Sequence, residues 1–355
     1  MKKILPLITA IVLLTMALNA NAQNGFSDLI KSGPGDASKL LNAYADPLFK
    51  GFGAGMNSGW NNTAKTKKLF HFDVRISATA ALVPSSDKTF DVTKIGLSNN
   101  VKPADPNLTL SPTIGGERNT PGPMLNVYAN GKQVDQFALP SGKLPVIPSP
   151  QLQITIGLVK NTDITVRGIP KVSFGSDVGS VSMIGVGIKH DILRDFVGKK
   201  ADNLIPVDVA IGVAYSRLNT NVALNVQPDA GAQPENNQQA SDFTNQRIEA
   251  HFNSFLFQAI VSKKLLFFTP FLAVGYNTAD AKAAVVGNYP VTTGSTLTNQ
   301  PTYTTFTDPI NINENTASGL RADLGFQLNL GFFRIYASYG LAKYQTASGG
   351  IGFGF

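Results

Sequence analysis

Hydrophobic and polar residues alternate with a period of two along residues 320–330. The even-numbered positions are leucine, alanine or phenylalanine, whereas the odd-numbered positions include Arg321 and Asp323. Successive side chains of a β-strand point to opposite faces of a sheet. A strand with one apolar face and one charged face suits a wall between lipid and a wet interior. The pattern therefore predicts a strand of a transmembrane antiparallel β-barrel.

Nine further segments show comparable alternation, which predicts ten strands. Most of them reach the roughly 9–11 residues that a tilted strand needs to cross a bilayer. The predicted strands cover residues 69–83, 151–160, 163–168, 178–189, 206–218, 251–262, 265–276, 320–330, 332–343 and 349–355.

The connections between these strands differ in length in a regular way. Bacterial barrels carry short periplasmic turns and longer external loops. If the first strand starts at the periplasm, the long connections 84–150, 219–250 and 277–319 all fall on the external side. The tight turns at 161–162 and 263–264 then fall on the periplasmic side, as the rule requires, and the medium-length link 190–205 on that side is the exception.

Two long connections contain further β-prone stretches. Asn130-Gly131 lies between residues 125–129 and 132–139, and this dipeptide is a strong signal for a tight hairpin turn. Residues 281–286 and 303–307 form a similar pair in the last long connection. Because each added hairpin keeps the strand number even, the sequence predicts 10–14 strands.

Residues 23–68 lack strand alternation and precede a predicted barrel at residues 69–355. Asp36 begins a helical pattern in which Leu40, Leu41 and Tyr44 share one face, and Pro47 and glycines follow it. We expect a short helical plug, or hatch, or a periplasmic cap. The alternative is a mobile tail.

Both ends of the chain carry signals that indicate export. Lys2 and Lys3 precede an apolar run at residues 4–18, and Ala20-Asn21-Ala22 forms a cleavage motif, which predicts a signal peptide at residues 1–22. At the other end, Phe353 and Phe355 close the last predicted strand. An aromatic strand end resembles the signal that is read by the barrel assembly machinery, and we expect these two residues to serve in assembly.

Composition and charge support a lipid-exposed barrel. Charged residues make up only 15% of the chain, against about 25% in a typical soluble domain. The absence of cysteine argues against a disulfide framework and a lipid anchor. The net charge of +7 is spread along the chain without a basic run, so no nucleic-acid partner is expected.

The sequence shows no pattern typical of an enzyme. His71 and Asp73 share one face of the first predicted strand, but no serine lies in a recognisable nucleophile motif. Lys189-His190-Asp191 lacks partners at ligand spacing. We therefore expect a protein without catalytic activity, cofactor or metal.

The inward face of the predicted barrel carries charges of both signs and apolar side chains. Opposite charges are expected to pair and brace the lumen, or to line a polar conduit. The apolar residues are expected to contact a hydrophobic ligand or the plug. The charges are Asp73, Arg75, Asp163, Arg167, Asp208, Arg321, Asp323 and Arg334, and the apolar wall residues are Phe252, Leu256, Phe267 and Phe271.

Three segments resemble an uncharacterised outer-membrane β-barrel family common in Bacteroidota. They are LNAYADPL at residues 41–48, GMNSGW at 55–60 and GVGIKHD at 185–191. The FadL-like transporters of hydrophobic compounds are also similar in the order of their elements. Here too a short helix and glycine-rich residues precede a barrel with an even number of predicted strands. That resemblance implies a 14-stranded barrel with an internal hatch.

Together these features predict an outer-membrane barrel of a Gram-negative bacterium that binds or passes small hydrophobic compounds. The alternatives are a general diffusion porin and a plugged structural or secretion-associated barrel without transport activity. The expected partners are outer-membrane lipid, the barrel assembly machinery and a small hydrophobic ligand.

Overall fold

The computed structural model describes residues 27–173, 179–197, 207–298 and 300–354. The predicted signal peptide and Phe355 lie outside these ranges. Within them, no helix combines the length and the apolar character that a membrane-crossing helix needs.

Ten antiparallel strands in the described part of the chain close into one barrel. Each overlaps a segment whose alternation predicted it, so the predicted antiparallel barrel is confirmed. The strands are β1 (Phe72–Leu82), β2 (Val146–Gly157), β3 (Thr162–Ser173), β4 (Gly179–Asp191), β5 (Asp208–Ala223), β6 (Arg247–Ser262), β7 (Phe268–Val286), β8 (Ile310–Leu330), β9 (Phe333–Leu341) and β10 (Thr346–Gly354).

The first and last strands close the ring. Asp73 to Ala81 of β1 pair with Gly354 to Thr346 of β10, and the other edge of β1 pairs with β2. Every other strand pairs with its two neighbours in sequence. Lipid offers no hydrogen-bond partners to a peptide backbone, so a closed ring suits a wall that faces lipid.

Side chains along the strands alternate between exposed hydrocarbon and buried polar groups. In β6, for example, Phe257 is exposed and Gln258 is buried, and in β7 Tyr276 is exposed and Asn277 is buried. This reverses the usual arrangement of a water-soluble domain. It is the arrangement expected where lipid surrounds the barrel.

The hairpin predicted at Asn130-Gly131 exists but lies outside the barrel. Both residues have positive φ angles, 51° and 76°, as a tight two-residue turn requires. The turn joins Met124–Ala129 to Lys132–Ala138, and these strands form a separate sheet with Val101–Pro103.

The last long connection also contains strands that lie outside the barrel. Residues 281–286 extend β7, whereas Pro301–Thr307 pairs with Asn288–Ser295 in another separate sheet. These two strands have seven and eight residues, fewer than the roughly 9–11 needed to cross a bilayer. The barrel in the described residues therefore has ten strands, and the 14 implied by the FadL-like resemblance are not found there.

A 23-residue helix, α1 (Pro34–Met56), precedes the barrel and enters its lumen. The predicted helix ended before Pro47, but α1 continues through this proline and the glycines that follow. Local propensity disfavours a helix there. The barrel wall surrounds this part of α1, and tertiary packing overrides the weak propensity.

The long connections 83–145, 224–246 and 287–309, here called the cap, cover the N-terminal half of α1. Residues 57–68, here called the tether, continue from α1 to the opposite, short-turn end, where Phe70 donates a backbone hydrogen bond to Gly157 at 2.9 Å. We call α1 and the tether together the plug. The N-terminal part of the plug thus lies at the long-loop end, and the plug runs from there to the short-turn end.

The remaining elements are short and lie in the connections. They are the helical turns Ser85–Asp87 and Leu193–Val197, the strand pair Thr89–Asp91 and Leu110–Pro112, and Gln233–Pro234, which pairs with Pro301–Thr307.

Candidate functional site: the plugged lumen

Three glycines allow α1 to pass between opposite walls of the barrel. A Cβ atom at Gly51 would lie 2.4 Å from Cγ1 of Ile147 in β2. On the other side of the helix, a Cβ at Gly53 would lie 2.8 Å from Cβ of Ala279 in β7. Gly55 is similarly close to β2. Non-bonded carbons pack at about 3.5–4.0 Å, so larger residues at these positions would clash with the wall.

Two buried arginines bind the plug where α1 ends and the tether begins. Arg167 donates from Nη1 to the carbonyl oxygens of Met56 and Ser58, at 3.1 and 3.0 Å. Arg75 donates from Nη2 to the carbonyl oxygen of Trp60 at 3.3 Å. Carbonyl groups at a helix C-terminus carry partial negative charge. The plug itself therefore supplies part of the counter-charge for the two arginines.

Trp60 packs between Arg167 and two glycines of β4. A Cβ at Gly187 would lie 2.9 Å from Cζ3 of the indole, and a Cβ at Gly185 would lie 3.1 Å from Cη2. The guanidinium carbon of Arg167 lies 3.9 Å from the centroid of the Trp60 ring, close enough for a cation–π interaction. Two of the segments that resemble the Bacteroidota family thus meet in the lumen.

The tether is bound to the wall by a buried ion pair. Lys189 of β4 donates from Nζ to the carbonyl oxygens of Thr63 and Lys65, both at 3.0 Å. The same ammonium lies 3.1 Å from a carboxylate oxygen of Asp163 in β3. Asp163 in turn accepts a hydrogen bond from the backbone N–H of Lys67 at 2.8 Å. Charge-assisted hydrogen bonds of this kind are stronger than neutral ones.

The other lumen charges form pairs within the wall. Arg334 of β9 contacts the carboxylate of Asp73 in β1, and the hydroxyl of Tyr336 donates to that carboxylate at 2.8 Å. Arg321 donates from Nε to Oδ2 of Asp323, its neighbour on the same face of β8, at 2.9 Å. This arrangement agrees with the bracing interpretation, because opposite charges in the wall neutralise each other.

Two of the predicted apolar wall residues pack directly against the plug. The ring of Phe252 lies 5.9 Å from that of Phe49 and 5.5 Å from that of Phe52, between centroids. Aromatic pairs at these separations are favourable. Leu256 belongs to a buried cluster with Trp60. The plug thus occupies this part of the apolar wall.

The remaining two wall residues have different positions. Phe271 is buried in a cluster with Ala64 of the tether. Phe267 lies in the turn before β7 and is 57% exposed, so its prediction as a wall residue was wrong. Side chains alternate only within a strand, and β7 begins one residue later. Asp208, the first residue of β5, is half-buried.

The predicted plug face is buried under the cap. Leu40, Leu41 and Tyr44 belong to one hydrophobic cluster with cap residues such as Leu125. The hydroxyl of Tyr44 donates to the carbonyl oxygen of Ser141 at 2.9 Å. The cap and the plug therefore share one core.

A polar contact joins the middle of α1 to the cap. Nζ of Lys50 lies 3.2 Å from Oδ2 of Asp87, and the hydroxyl of Tyr344 donates to the same oxygen at 2.8 Å. Burial raises the pKa of Asp87, but hydrogen bonds from Tyr344 and Ser86, with the charge of Lys50, outweigh burial and leave that pKa below its ordinary value. This carboxylate is therefore stabilised in its charged form.

The barrel wall contains a seam between β2 and β3. Pairing between these strands covers only residues 152–157 and 163–168. Among the described pairs, residues 146–151 of β2 pair with β1 alone, and residues 169–173 of β3 pair with β4 alone. The two strands therefore separate in the half of the barrel nearest the cap.

Three prolines account for the seam. The backbone N–H of Leu158 donates to Thr162 of β3, so the even-numbered residues of β2 face β3. Pro148 and Pro150 are among them, and Pro170 lies where the register of β3 shifts between Ile169 and Val172. Proline has no N–H to donate to a ladder. The seam edges therefore lack donors at these positions.

Comparison with known families shows where the chain belongs. The model of a family of unknown function, DUF6588, matches residues 1–355. The chain belongs to the DUF6588 family. That match does not test the FadL-like resemblance, which stays a prediction. No curated protein matches this DUF6588 chain.

Several solved structures match the DUF6588 chain at low identity. Ail of Yersinia pestis, in complex with the heparin analogue sucrose octasulfate, is 10% identical, with 81% of this chain and 100% of Ail covered and a TM-score of 0.26. The outer membrane transporter YddB from Escherichia coli is 9% identical (81% and 41% covered, TM-score 0.31). The translocator domain of the autotransporter NalP from Neisseria meningitidis is 11% identical (82% and 90% covered, TM-score 0.29). At these TM-scores none of them identifies the type of barrel.

Two residues that hold the plug of this DUF6588 chain were not among the predicted site residues. Trp60 was noted only as part of a resemblance, and Lys189 only in a segment without partners at metal-ligand spacing. One signal was available. The chain has a single tryptophan, and one predicted strand contains Gly185 and Gly187 on one face. Glycines on the inner face of a strand leave room for a large side chain from elsewhere.

Proposed function

We propose that this DUF6588 protein is an outer-membrane β-barrel that is closed by its own N-terminal segment and presents an ordered cap at the cell surface. The path of residues 34–68 carries this proposal, since they run through the lumen from the cap to the short-turn end. Charged and apolar wall residues alike hold the segment, as Arg167 and Phe252 illustrate. This is the plugged structural barrel among the three alternatives.

The barrel surface supports the membrane location. Outward-facing residues such as Ile184, Val274 and Leu324 are exposed hydrocarbon. A continuous apolar belt of this kind suits lipid better than water. Short connections at one end and long ones at the other match the asymmetry of bacterial barrels, which orients the cap toward the outside.

A planar-bilayer recording tests the closed state. The purified full-length protein, shown to be folded by heat-modifiable gel mobility, is expected to give no steady ion conductance. A general porin measured in parallel should conduct, because its lumen is filled with water. Steady conductance by the folded wild-type protein would contradict our proposal and favour the porin alternative.

The seam supports a second candidate function, the binding or passage of small hydrophobic compounds. It separates β2 from β3, and α1 lies directly behind it, with Gly51 against Ile147. Ile169, on the β3 side, packs against the core that plug and cap share. Buried apolar surface contributes about 25 cal/mol per Å², so an acyl chain that entered from the lipid would gain binding energy there.

Closing the seam should weaken such binding. The combined variant Pro148→Val, Pro150→Val and Pro170→Val restores three backbone N–H groups, of which those at residues 148 and 150 face β3. Each new hydrogen bond should contribute about 1 kcal/mol. The equilibrium between the open and the closed seam should therefore shift toward the closed form by at least about tenfold. Binding of a fluorescent fatty acid should fall accordingly. Pro270→Val is the control, because Pro270 lies in the paired wall between β7 and β8. If the triple variant binds the fatty acid as tightly as the wild-type protein does, the seam is not the binding site.

We propose no catalytic role, although one histidine has contacts like those of a triad. Nδ1 of His190 lies 3.0 Å from Oγ1 of Thr162, and its Nε2 lies 2.7 Å from Oδ2 of Asp195. The Thr162 hydroxyl also donates to the carbonyl oxygen of Lys160 at 3.0 Å. A nucleophilic hydroxyl must give its proton to the base, and here a backbone carbonyl competes for that proton at the same distance as the imidazole. We interpret the group as a brace at the barrel rim.

A further inference from the structure

The end of the barrel opposite the cap exposes apolar side chains at the tips of its turns. Leu266 is 88% exposed and Phe70 is 75% exposed, and Val159 and Phe332 are exposed as well. Turns that face water are normally polar. We call this surface the short-turn rim, and it consists of residues 67–71, 158–162, 263–267 and 331–332.

Lysines lie beside these apolar tips. Lys68, Lys160, Lys263 and Lys264 are exposed, and none of them forms an ion pair with a described carboxylate. These four segments contain no aspartate or glutamate, and the fifth connection at this end pairs its described charges locally, Asp195 with His190 and Arg194 with Asp191. The rim therefore combines uncompensated positive charge with exposed hydrocarbon.

Two of the three cap connections have the opposite character. The connection 83–145 contains six basic and five acidic residues, whereas 224–246 and 287–309 together contain four acidic residues and neither lysine nor arginine. A general requirement for solubility would not place the charges so unevenly. The two ends of the barrel thus face surroundings of different charge. The acidic residues are Asp229, Glu235, Asp242 and Asp308.

We propose that the short-turn rim is a binding surface for anionic phospholipid in the membrane leaflet that it touches. Its leucine and phenylalanine tips would enter the boundary between headgroups and acyl chains. The lysine stems would lie along this boundary, with their ammonium groups against lipid phosphates. The inference rests on the proposed membrane location and is independent of whether the lumen is closed.

Lipid selectivity measures this interaction directly. Full-length protein is reconstituted in phosphatidylcholine vesicles with spin-labelled phosphatidylglycerol or spin-labelled phosphatidylcholine as the probe. The wild-type protein should prefer phosphatidylglycerol. In the variant Lys160→Gln, Lys263→Gln and Lys264→Gln, the preference for phosphatidylglycerol should fall by about fivefold for each lysine removed. This factor is the effect expected of one lysine near an anionic membrane surface.

The matched control removes three exposed lysines from the cap, Lys94→Gln, Lys102→Gln and Lys132→Gln. It carries the same change in net charge and should keep the wild-type preference. An equal loss in both variants would show an effect of net charge and overturn the proposal, as would an unchanged preference in the rim variant.

A salt titration of the wild-type protein needs no variant. At about 1 M salt the screening length falls to about 3 Å, so the preference for phosphatidylglycerol should disappear. A preference that persists at high salt, or no preference at low salt, would overturn the proposal. Ion conductance in the same vesicles reports separately on the closed lumen, so failure of one proposal is distinguishable from failure of the other.

Discussion

Replacing Arg167 with glutamine is expected to loosen the plug and make the barrel conduct ions. Arg167 donates to the carbonyl oxygens of Met56 and Ser58 and lies over the ring of Trp60. The shorter, neutral glutamine leaves these buried carbonyls without the charged donor. Two hydrogen bonds to a charged group and one cation–π contact together contribute on the order of 3–5 kcal/mol.

Planar-bilayer recordings of the full-length variant should therefore show conductance that the wild-type protein lacks. Arg118→Gln is the matched control, because Arg118 also donates to a backbone carbonyl, that of Lys143 at 3.1 Å, but lies exposed in the cap. Thermal stability of the folded band on gels should fall for Arg167→Gln and stay unchanged for the control. A closed and equally stable Arg167 variant would show that the arginine does not hold the plug.

Gly51→Leu is expected to prevent the plug from seating in the lumen. A Cβ at this position would already lie 2.4 Å from Cγ1 of Ile147, and the rest of the leucine has to pass the same wall. Overpacking a well-filled interior typically destabilises by about 1–3 kcal/mol and occasionally by more. Helix propensity alone predicts the opposite sign, a gain of roughly 0.5–1 kcal/mol.

Gly35→Leu in the same helix separates the two effects. Gly35 has no other group within 4 Å of an added Cβ, so only propensity acts there. We expect Gly35→Leu to be neutral or stabilising in urea titrations of the folded protein. The Gly51→Leu variant should yield less folded protein. If its barrel still forms, the barrel should conduct ions. Wild-type stability and a closed lumen in Gly51→Leu would contradict the tight fit of α1.

The strands were predictable because alternation is a local property of the chain. The ends of the strands were harder to predict, as β7 shows. Alternation between apolar and polar residues predicted its end at Tyr276, but β7 continues to Val286. Beyond Tyr276 the chain contains polar residues such as Asp280 and Lys282, and pairing with β8 continues regardless. Backbone hydrogen bonds define a strand, whereas hydrophobicity shows only the part of it that faces lipid.

The plug was only partly predictable. The first turns of α1 carry the helical pattern of Leu40, Leu41 and Tyr44, but nothing local predicts a helix through Pro47 and the glycines that follow it. Glycine is a poor helix former in water. In the lumen it is the residue that fits, because the wall leaves no room for a Cβ at Gly51.

The sequence by itself determined the antiparallel barrel, the unequal ends and the presence of a helix before the first strand. Each of these follows from residues that are close together in the chain. The tertiary structure alone decided the direction of the plug, the partners of Arg167 and the seam at Pro150 and Pro170. These depend on contacts between residues far apart in sequence, such as Arg167 and Met56, and on strand register, which only the closed ring establishes.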